Sequence, residues 1–350
     1  MRYLFLCPDS RSASGGVAVI YNTVKVLIDA GYDAQLVHNA PDAGHPDYLI
    51  DIPICYTPQV HKIARRWAGR RHRLMGALTD LMPKARPAKA LPLLQLAPSD
   101  VIVVPEFLTA EALLAFPDNR VIVYAQNPFA YLRSHARAVE AGVDPVARVS
   151  WFLGISDVNR DAYDLVGASP TSYFTVNPEL QLFPFQKDKK PLISYMPRKR
   201  PEEAIFIDRA LRRRGLIGDY DLVAIDGMTR AEVAEVLKDT RIFISLLRTE
   251  ALGFPAAEAM AAGCITVGYT GLGTREYFDE TTGIEVTEGD TFGVVKAVEA
   301  AVAEYAQSPD RLDAMRAHAS KRIHDNYNAT TFQTQLRAAW QEIDQTLNAV

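Results

Sequence analysis

Two doubly wound α/β domains with a cleft between them are what this sequence predicts, on three observations. Short β-branched and apolar runs alternate with helix-like segments along the whole chain, the pattern of parallel strands joined by crossover helices. At 350 residues the chain exceeds the usual span of one domain, and 48% hydrophobic residues supply material for two cores. From Gln181 to Lys190 the chain turns polar and basic around Pro184, as a linker does. The expected division is therefore a first domain over residues 1–180 and a second over 181–330. The final segment, 331–350, carries Phe332, Leu336, Trp340 and Ile343 at helical spacing, and it is expected to cross back onto the first domain.

Composition narrows the function. A net charge of −4 argues against a general nucleic-acid partner. Cys7, Cys55 and Cys264 are scattered, which predicts reduced buried thiols of a cytoplasmic protein and neither a disulfide framework nor a metal site. No apolar run approaches about 18 residues, so neither a signal peptide nor a membrane span is expected.

Taken in order, Tyr3 to Cys7 reads as a buried strand, and a polar loop from Asp9 leads through Gly15 and Gly16 into a helix over Val17 to Ala30 that Gly31 ends. Strand, glycine-bearing loop and helix form a candidate phosphate cradle, an ordinary turn being the plainer reading. Tyr32 to His38 is a second strand. Between Gln59 and Thr79 the residues Val60, Ile63, Trp67, Leu74 and Leu78 recur at helical spacing, and His61 to Ala90 holds nine basic residues against one acid, Asp80. That pattern suits a helix on an anionic membrane surface, or equally a solvated helix packed on the first domain.

Asp100 to Val104 and Arg120 to Ala125 are two further strands, ending at Pro105-Glu106 and at Gln126-Asn127-Pro128-Phe129. Trp151 to Ser156 is a strand, Asp157 to Leu165 a helix, and Tyr173 to Val176 the last short strand before the linker. The strand Leu192 to Tyr195 opens the second domain and runs into Arg198, Lys199 and Arg200, three cations at a strand end. Glu202 to Arg214 is a helix whose Arg209, Arg212, Arg213 and Arg214 belong on a solvated face. Tyr220 to Ile225 is a strand closing at Gly227, and Thr229 with Glu232 three residues on forms a capping signal for a helix to Lys238. Beyond Glu276 comes Gly283 to Val286, followed by helices over Phe292 to Tyr305, Pro309 to His324 and Thr331 to Leu347.

The stretch Arg248-Thr249-Glu250-Ala251-Leu252-Gly253-Phe254-Pro255-Ala256-Ala257-Glu258-Ala259-Met260-Ala261-Ala262-Gly263 lies between two apolar strands, Arg241 to Leu247 and Cys264 to Tyr269. Pro255 suits the first helical position and Gly263 the place just past the end, which puts a helix N-terminus near Gly253 and Phe254. Such an end, above a parallel strand, offers unpaired N–H groups to a phosphate. Glu250 in the loop and Glu258 in the expected first turn flank that point, and carboxylates accept hydrogen bonds from sugar hydroxyls. A ligand with phosphate in the middle and hydroxyls at both ends fits. The plainer reading leaves Glu258 complementing the helix dipole and Glu250 in solvent.

The wording Glu-x7-Glu followed by Ala-Met-Ala-Ala-Gly resembles the signature of the retaining GT-B glycosyltransferases, glycosyltransferase family four or group one. The resemblance implies a GT-B fold of two Rossmann-like domains and transfer of a sugar from a nucleotide sugar to a hydroxyl acceptor. It gives Glu250 the hydroxyls of the transferred sugar, Glu258 the ribose, and the backbone at Gly253 and Phe254 the sugar and diphosphate. By the same resemblance Arg198 and Lys199 clamp the diphosphate, with Arg200 an undecided third. Gly227 admits the base, and Gly15 and Gly16 touch diphosphate or acceptor. Many relatives carry a histidine where this chain has Gln126 and Asn127, and Asn127 can still bond a hydroxyl although neither amide moves a proton near neutral pH. The turn Thr270-Gly271-Leu272-Gly273-Thr274-Arg275-Glu276 resembles the family's Gly-rich turn. No metal and no cofactor besides the donor are implied. Membrane-associated relatives reach lipid-linked acceptors through the first domain, which points to surface polysaccharide, lipopolysaccharide or glycolipid assembly by a protein peripheral to the inner membrane face. A catalytically silent nucleotide-binding accessory protein and a nucleotide-sugar epimerase are the alternatives. Backbone contacts read the base in such sites, so the sequence names neither base nor sugar.

Overall fold

A computed structural model describes residues 1–9, 15–43, 51–71 and 90–349. Loop residues 10–14 and the part of the basic segment from 72 to 89, including Leu74 and Leu78, lie outside the described residues. The chain folds into two compact units, the first made of Met1–Ile155, Asn159–Phe174 and Gln333–Val350, the second of Ser156–Val158 and Thr175–Phe332.

The first unit is built on strands β1 (Arg2–Leu6), β2 (Asp33–His38), β3 (Ile54–Tyr56), β4 (Val101–Pro105), β5 (Arg120–Ala125), β6 (Trp151–Gly154) and β7 (Thr171–Tyr173). They form one parallel sheet in the order β3-β2-β1-β4-β5-β6-β7. Every residue of β4 and β6 is buried, as a sheet covered on both faces requires. Helices α1 (Gly15–Asp29), α2 (Gln59–Arg71), α3 (Thr109–Ala115), α4 (Pro128–Glu140), α5 (Pro145–Arg148) and α6 (Asp157–Val166) connect them.

Several elements of this unit depart from the sequence reading, helices α3 and α5 being unread there. β3 is only three residues long, between Pro53 and Pro58, too short for a periodic signal. Helix α4 is absent from that reading, although Asn127 caps it and Pro128 opens it. The expected strand Tyr173 to Val176 pairs earlier, at Thr171–Tyr173 against Phe152–Gly154.

The second unit holds β8 (Lys190–Tyr195), β9 (Asp221–Ala224), β10 (Thr240–Leu246), β11 (Ile265–Tyr269) and β12 (Ile284–Glu285) in a parallel sheet ordered β12-β11-β10-β8-β9. Helices α7 (Pro201–Arg214), α8 (Arg230–Asp239), α9 (Phe254–Ala261), α10 (Thr291–Gln307) and α11 (Asp310–Asn326) accompany it. Its core joins Ile193, Ile242, Ile244, Ile265 and Val267 of the strands to Leu211 of α7 and Val294 and Val298 of α10. At α8 the expected capping box is present, the Thr229 hydroxyl and the Glu232 carboxylate each meeting the other's backbone N–H. Arg209, Arg212, Arg213 and Arg214 of α7 are exposed.

The last helix, α12 (Ala329–Asn348), puts Trp340 into the core of the first unit, stacked on Phe5 at 5.4 Å and edge-on to Tyr3 at 5.1 Å. The Tyr3 hydroxyl donates to Asp344 at 2.6 Å. Cys7, Cys55 and Cys264 are buried free thiols.

Candidate functional site

In the second unit the strand order reverses between β8 and β10, and ligands of open parallel sheets bind outside the carboxyl ends at such a reversal. β8 leads into the turn Pro197–Lys199, and β10 leads into the loop that carries Glu250. These two strand ends meet: Lys199 Nζ is in ion-pair contact with Glu250 Oε1, the side chains 40% and 15% exposed. Burial and the neighbouring Arg198 charge push the Lys199 pKa down to about 8.

The three cations are not equivalent. Arg200 is buried, donates to the Leu247 carbonyl at 3.2 Å and to Glu203 at 2.7 Å, pairs with Glu288, and stacks over the Tyr269 ring at 4.6 Å. It is committed to holding β8, β10 and α7 together. Arg198 is exposed, so Arg198 and Lys199 are the cations a ligand can reach.

The Gly-rich turn fixes the backbone of Glu250. Glu250 N donates to Gly271 O at 3.2 Å, and Gly273 N donates to Glu250 O at 3.1 Å. A Cβ on Gly273 would stand 2.1 Å from the Ala251 carbonyl oxygen and 2.2 Å from that of Glu250, so only glycine allows this approach. Gly273 N also reaches Gly271 O at 2.8 Å, closing a γ-turn centred on Leu272 at φ 63°, ψ −61°. Thr249, on the other side of Glu250, has φ 41°. Strained residues of this kind cost about 1–3 kcal/mol each and cluster at functional sites.

Helix α9 begins at Phe254 after Gly253, which takes φ 69° as N-cap, and the Tyr277 hydroxyl donates to the carbonyls of Leu252 and Gly253 at 2.6 and 3.0 Å. Pro255 is therefore the second helical residue rather than the first, and Gly263 follows the end at φ 83°. Glu258 is the fifth helical residue, one position deeper than the sequence reading places it, and it is 5% exposed. Burial pushes its carboxyl up to about 7, opposed by the Arg230 guanidinium at 3.0 Å. Arg230, the first residue of α8, also lies 2.8 Å from Glu179, donates to the Pro178 carbonyl and stacks on Phe183 at 5.4 Å. Sequence reasoning misses Arg230 and Glu179, because no local spacing joins them to Glu258. Gly227, just after β9, takes φ 66° with open space where a Cβ would be.

In the first unit the reversal falls between β1 and β4. Gly15 and Gly16 are the first residues of α1 itself, not of the preceding loop, and Gln126 Nε2 donates to the Gly16 carbonyl at 3.0 Å. Gln126 N donates to Glu106 at 3.0 Å, and the Asn127 side chain accepts from Phe129 N at 3.0 Å as the cap of α4. Glu106 is 4% exposed, and burial pushes it up to about 7. It is a second buried carboxyl that the sequence does not single out. His135 lies one turn along α4 from Tyr131, with Nδ1 3.3 Å from that hydroxyl.

What the second unit assembles is a carboxylate in contact with an ammonium at a strand-end reversal, an exposed guanidinium beside it, a helix start with glycine as its cap, and a buried carboxylate held by arginine. Hydroxyls and an anionic group could be bound together there.

Residues 203–338 match the model of a family described as glycosyl transferase-like. An α-1,6-glucosyltransferase of Actinobacillus pleuropneumoniae serotype 7 (strain AP76) is 28% identical over 216 residues, covering 56% of this chain. The match spans 62% of that relative's length, under two thirds of it. Among solved structures, Anabaena HepE in complex with UDP-glucose superimposes with a TM-score of 0.67 at 14% identity, over 98% of this chain and 100% of that one. A variant of S. aureus TarM in complex with Fondaparinux, alpha-GlcNAc-glycerol and UDP gives 0.66 at 10% identity, over 98% and 99%. At such identities the likeness shows the fold, which is GT-B.

Proposed function

We propose that this protein is a retaining glycosyltransferase that moves a sugar from a nucleoside-diphosphate donor to a hydroxyl acceptor. The observation that carries the reading is the Lys199–Glu250 contact at the β8/β10 reversal. In this reading the donor diphosphate draws Lys199 and Arg198 toward itself, and Glu250 is released to accept hydroxyls of the transferred sugar. Glu258 takes the ribose hydroxyls, with Gly227 open to the base. As the glycosidic bond breaks, negative charge grows on the leaving diphosphate, where Lys199 and Arg198, already drawn to it on donor binding, and the amides at Gly253 and Phe254 stabilise it. The acceptor attacks on the face the diphosphate leaves, and the diphosphate takes its proton. Charge stabilisation falls to side chains and amides, with no metal assigned to it.

The family match over residues 203–338 and the glucosyltransferase relative support sugar transfer, and the UDP-glucose complex of a structural neighbour makes UDP-glucose the first donor to test. Gln126 in place of a histidine favours the second reading, a nucleotide-binding protein without turnover. A panel of nucleotide sugars separates the two: release of nucleoside diphosphate that Glu250→Ala abolishes supports transfer, whereas binding without release supports the second. Retention is tested by the anomeric configuration of the product in NMR.

We further propose a lipid-borne acceptor and a peripheral position on an anionic membrane, on the excess of nine basic residues over one acid from His61 to Ala90. Only its first part, α2, is described, and no helix among the described residues is long and apolar enough to cross a membrane.

A further inference from the structure

Leu272 stands in a conformation that glycine adopts freely and leucine resists, at φ 63°, ψ −61°. Its neighbours Gly271 and Gly273 are both glycine, so the turn already uses that residue where the backbone asks for it. Burial does not offset the strain, because Leu272 remains 41% exposed. The leucine is also in register with one particular residue. Glu250 and Leu272 form an isolated parallel bridge, so the backbone of the exposed leucine runs beside that of the residue whose carboxylate contacts Lys199. With Thr249 at φ 41°, the residue before Glu250 and its bridge partner both have positive φ. A strained, exposed apolar residue beside a ligand-binding carboxylate points to the ligand.

We propose that Leu272 is a specificity-determining residue for the transferred sugar, an assignment that rests on the glycosyltransferase reading above. A hexose presents hydroxyls and C–H patches on different sides. Glu250 accepts hydroxyls, and Leu272 next to it packs against C–H. A donor whose sugar directs a hydroxyl at Leu272 loses water there without gaining a partner, and is disfavoured. The proposal concerns the sugar alone: the nucleoside diphosphate is held by the cations and by Glu258.

The test uses the full chain and whichever of UDP, GDP and dTDP binds best in calorimetry, together with that nucleotide's glucosyl and galactosyl derivatives, which differ in the direction of one hydroxyl. Leu272→Gly relieves the turn, so its thermal midpoint is expected to rise by roughly 2–4 °C. Its affinity for the bare nucleoside diphosphate is expected to stay at the wild-type value. Its preference between the two sugars, as a ratio of kcat/KM or of affinities, is expected to shrink by about tenfold or more. Leu272→Asn, close to leucine in size but able to hydrogen-bond a hydroxyl, is expected to shift the preference toward the sugar the wild type disfavours. Unchanged selectivity in both variants, or an equal loss of affinity for the bare nucleoside diphosphate, overturns the assignment while leaving the glycosyltransferase reading intact. A wild-type protein that binds none of the nucleotides overturns both.

Discussion

The Arg230 guanidinium lies 3.0 Å from the Glu258 carboxylate and so holds a buried acid toward its ionised form. Glu179 on the far side of Arg230 and the Tyr277 phenol are the other titratable groups that bear on this carboxyl. Hydroxyl donors favour the carboxylate over the acid. Affinity for a ribonucleoside diphosphate is therefore expected to fall as pH drops through about 7. Removing the cation in Arg230→Met raises the Glu258 pKa further, so affinity at pH 7 is expected to fall by about tenfold and the acid limb to move to higher pH. Calorimetry from pH 6 to 9 checks this, with Glu258→Gln as the variant that loses the titration altogether.

Lys199 gives a dependence of opposite sign. Its ammonium binds the diphosphate and its neutral amine does not, and its pKa is depressed to about 8 by burial and Arg198. The contribution of Lys199 to diphosphate affinity is expected to be full below that value and to decline as pH rises through it, which gives the affinity an alkaline limb beside the acid limb of Glu258. Lys199→Ala should flatten this limb and weaken binding at pH 7 by about tenfold, the worth of one charge-assisted hydrogen bond. An unaltered alkaline limb in the variant would remove Lys199 from the site.

Glu250→Ala is expected to reduce sugar transfer by at least about 100-fold, the scale of losing a group that acts on the transition state. Its circular dichroism and thermal midpoint should stay near wild type, because the backbone bonds of Glu250 to Gly271 and Gly273 do not need the side chain.

Glu106 predicts a pH dependence of stability. Its folded pKa is raised to about 7 from an ordinary 4.5, so the native state binds the proton more tightly than the unfolded chain does. The stability linked to this carboxyl is present below about 4.5 and is lost as pH rises from there through about 7. Glu106→Gln is expected to melt higher than wild type at pH 8 and to show a smaller fall in midpoint between pH 5 and 8, read by calorimetry.

Gly273→Ala is expected to destabilise the second unit by about 1–3 kcal/mol, the usual cost of overpacking. The added methyl would overlap two carbonyl oxygens, those of Glu250 and Ala251, which are backbone and cannot swing away. Urea denaturation measures the loss, and sugar transfer should fall with it because the same turn fixes Glu250.

Flotation with liposomes tests the membrane proposal. Binding is expected to need acidic lipid and to weaken with salt. Changing Arg65, Arg66, Arg70 and Arg71 to Glu should abolish it, and binding unaltered by those changes would leave the segment a solvated face.

By itself the sequence determined the α/β alternation, the strand Arg120–Ala125 residue for residue, the Thr229–Glu232 cap, and a loop-borne Glu250 ahead of a helix starting at Gly253 and Phe254. These are local properties: apolar period, caps and glycine positions act over a few residues and are written in neighbouring letters. Only the tertiary structure decided which strand ends face each other. The order β12-β11-β10-β8-β9 brings Lys199 to Glu250, ties Arg200 to Leu247, Glu203 and Glu288, and so separates cations that stand side by side in the chain. It also buries Glu258 beside Arg230, 28 positions away, where the sequence alone placed it only in the first turn of a helix. Long-range pairing, burial and backbone strain such as that at Leu272 arise when distant segments are brought together, and no period in the sequence records which ones will meet.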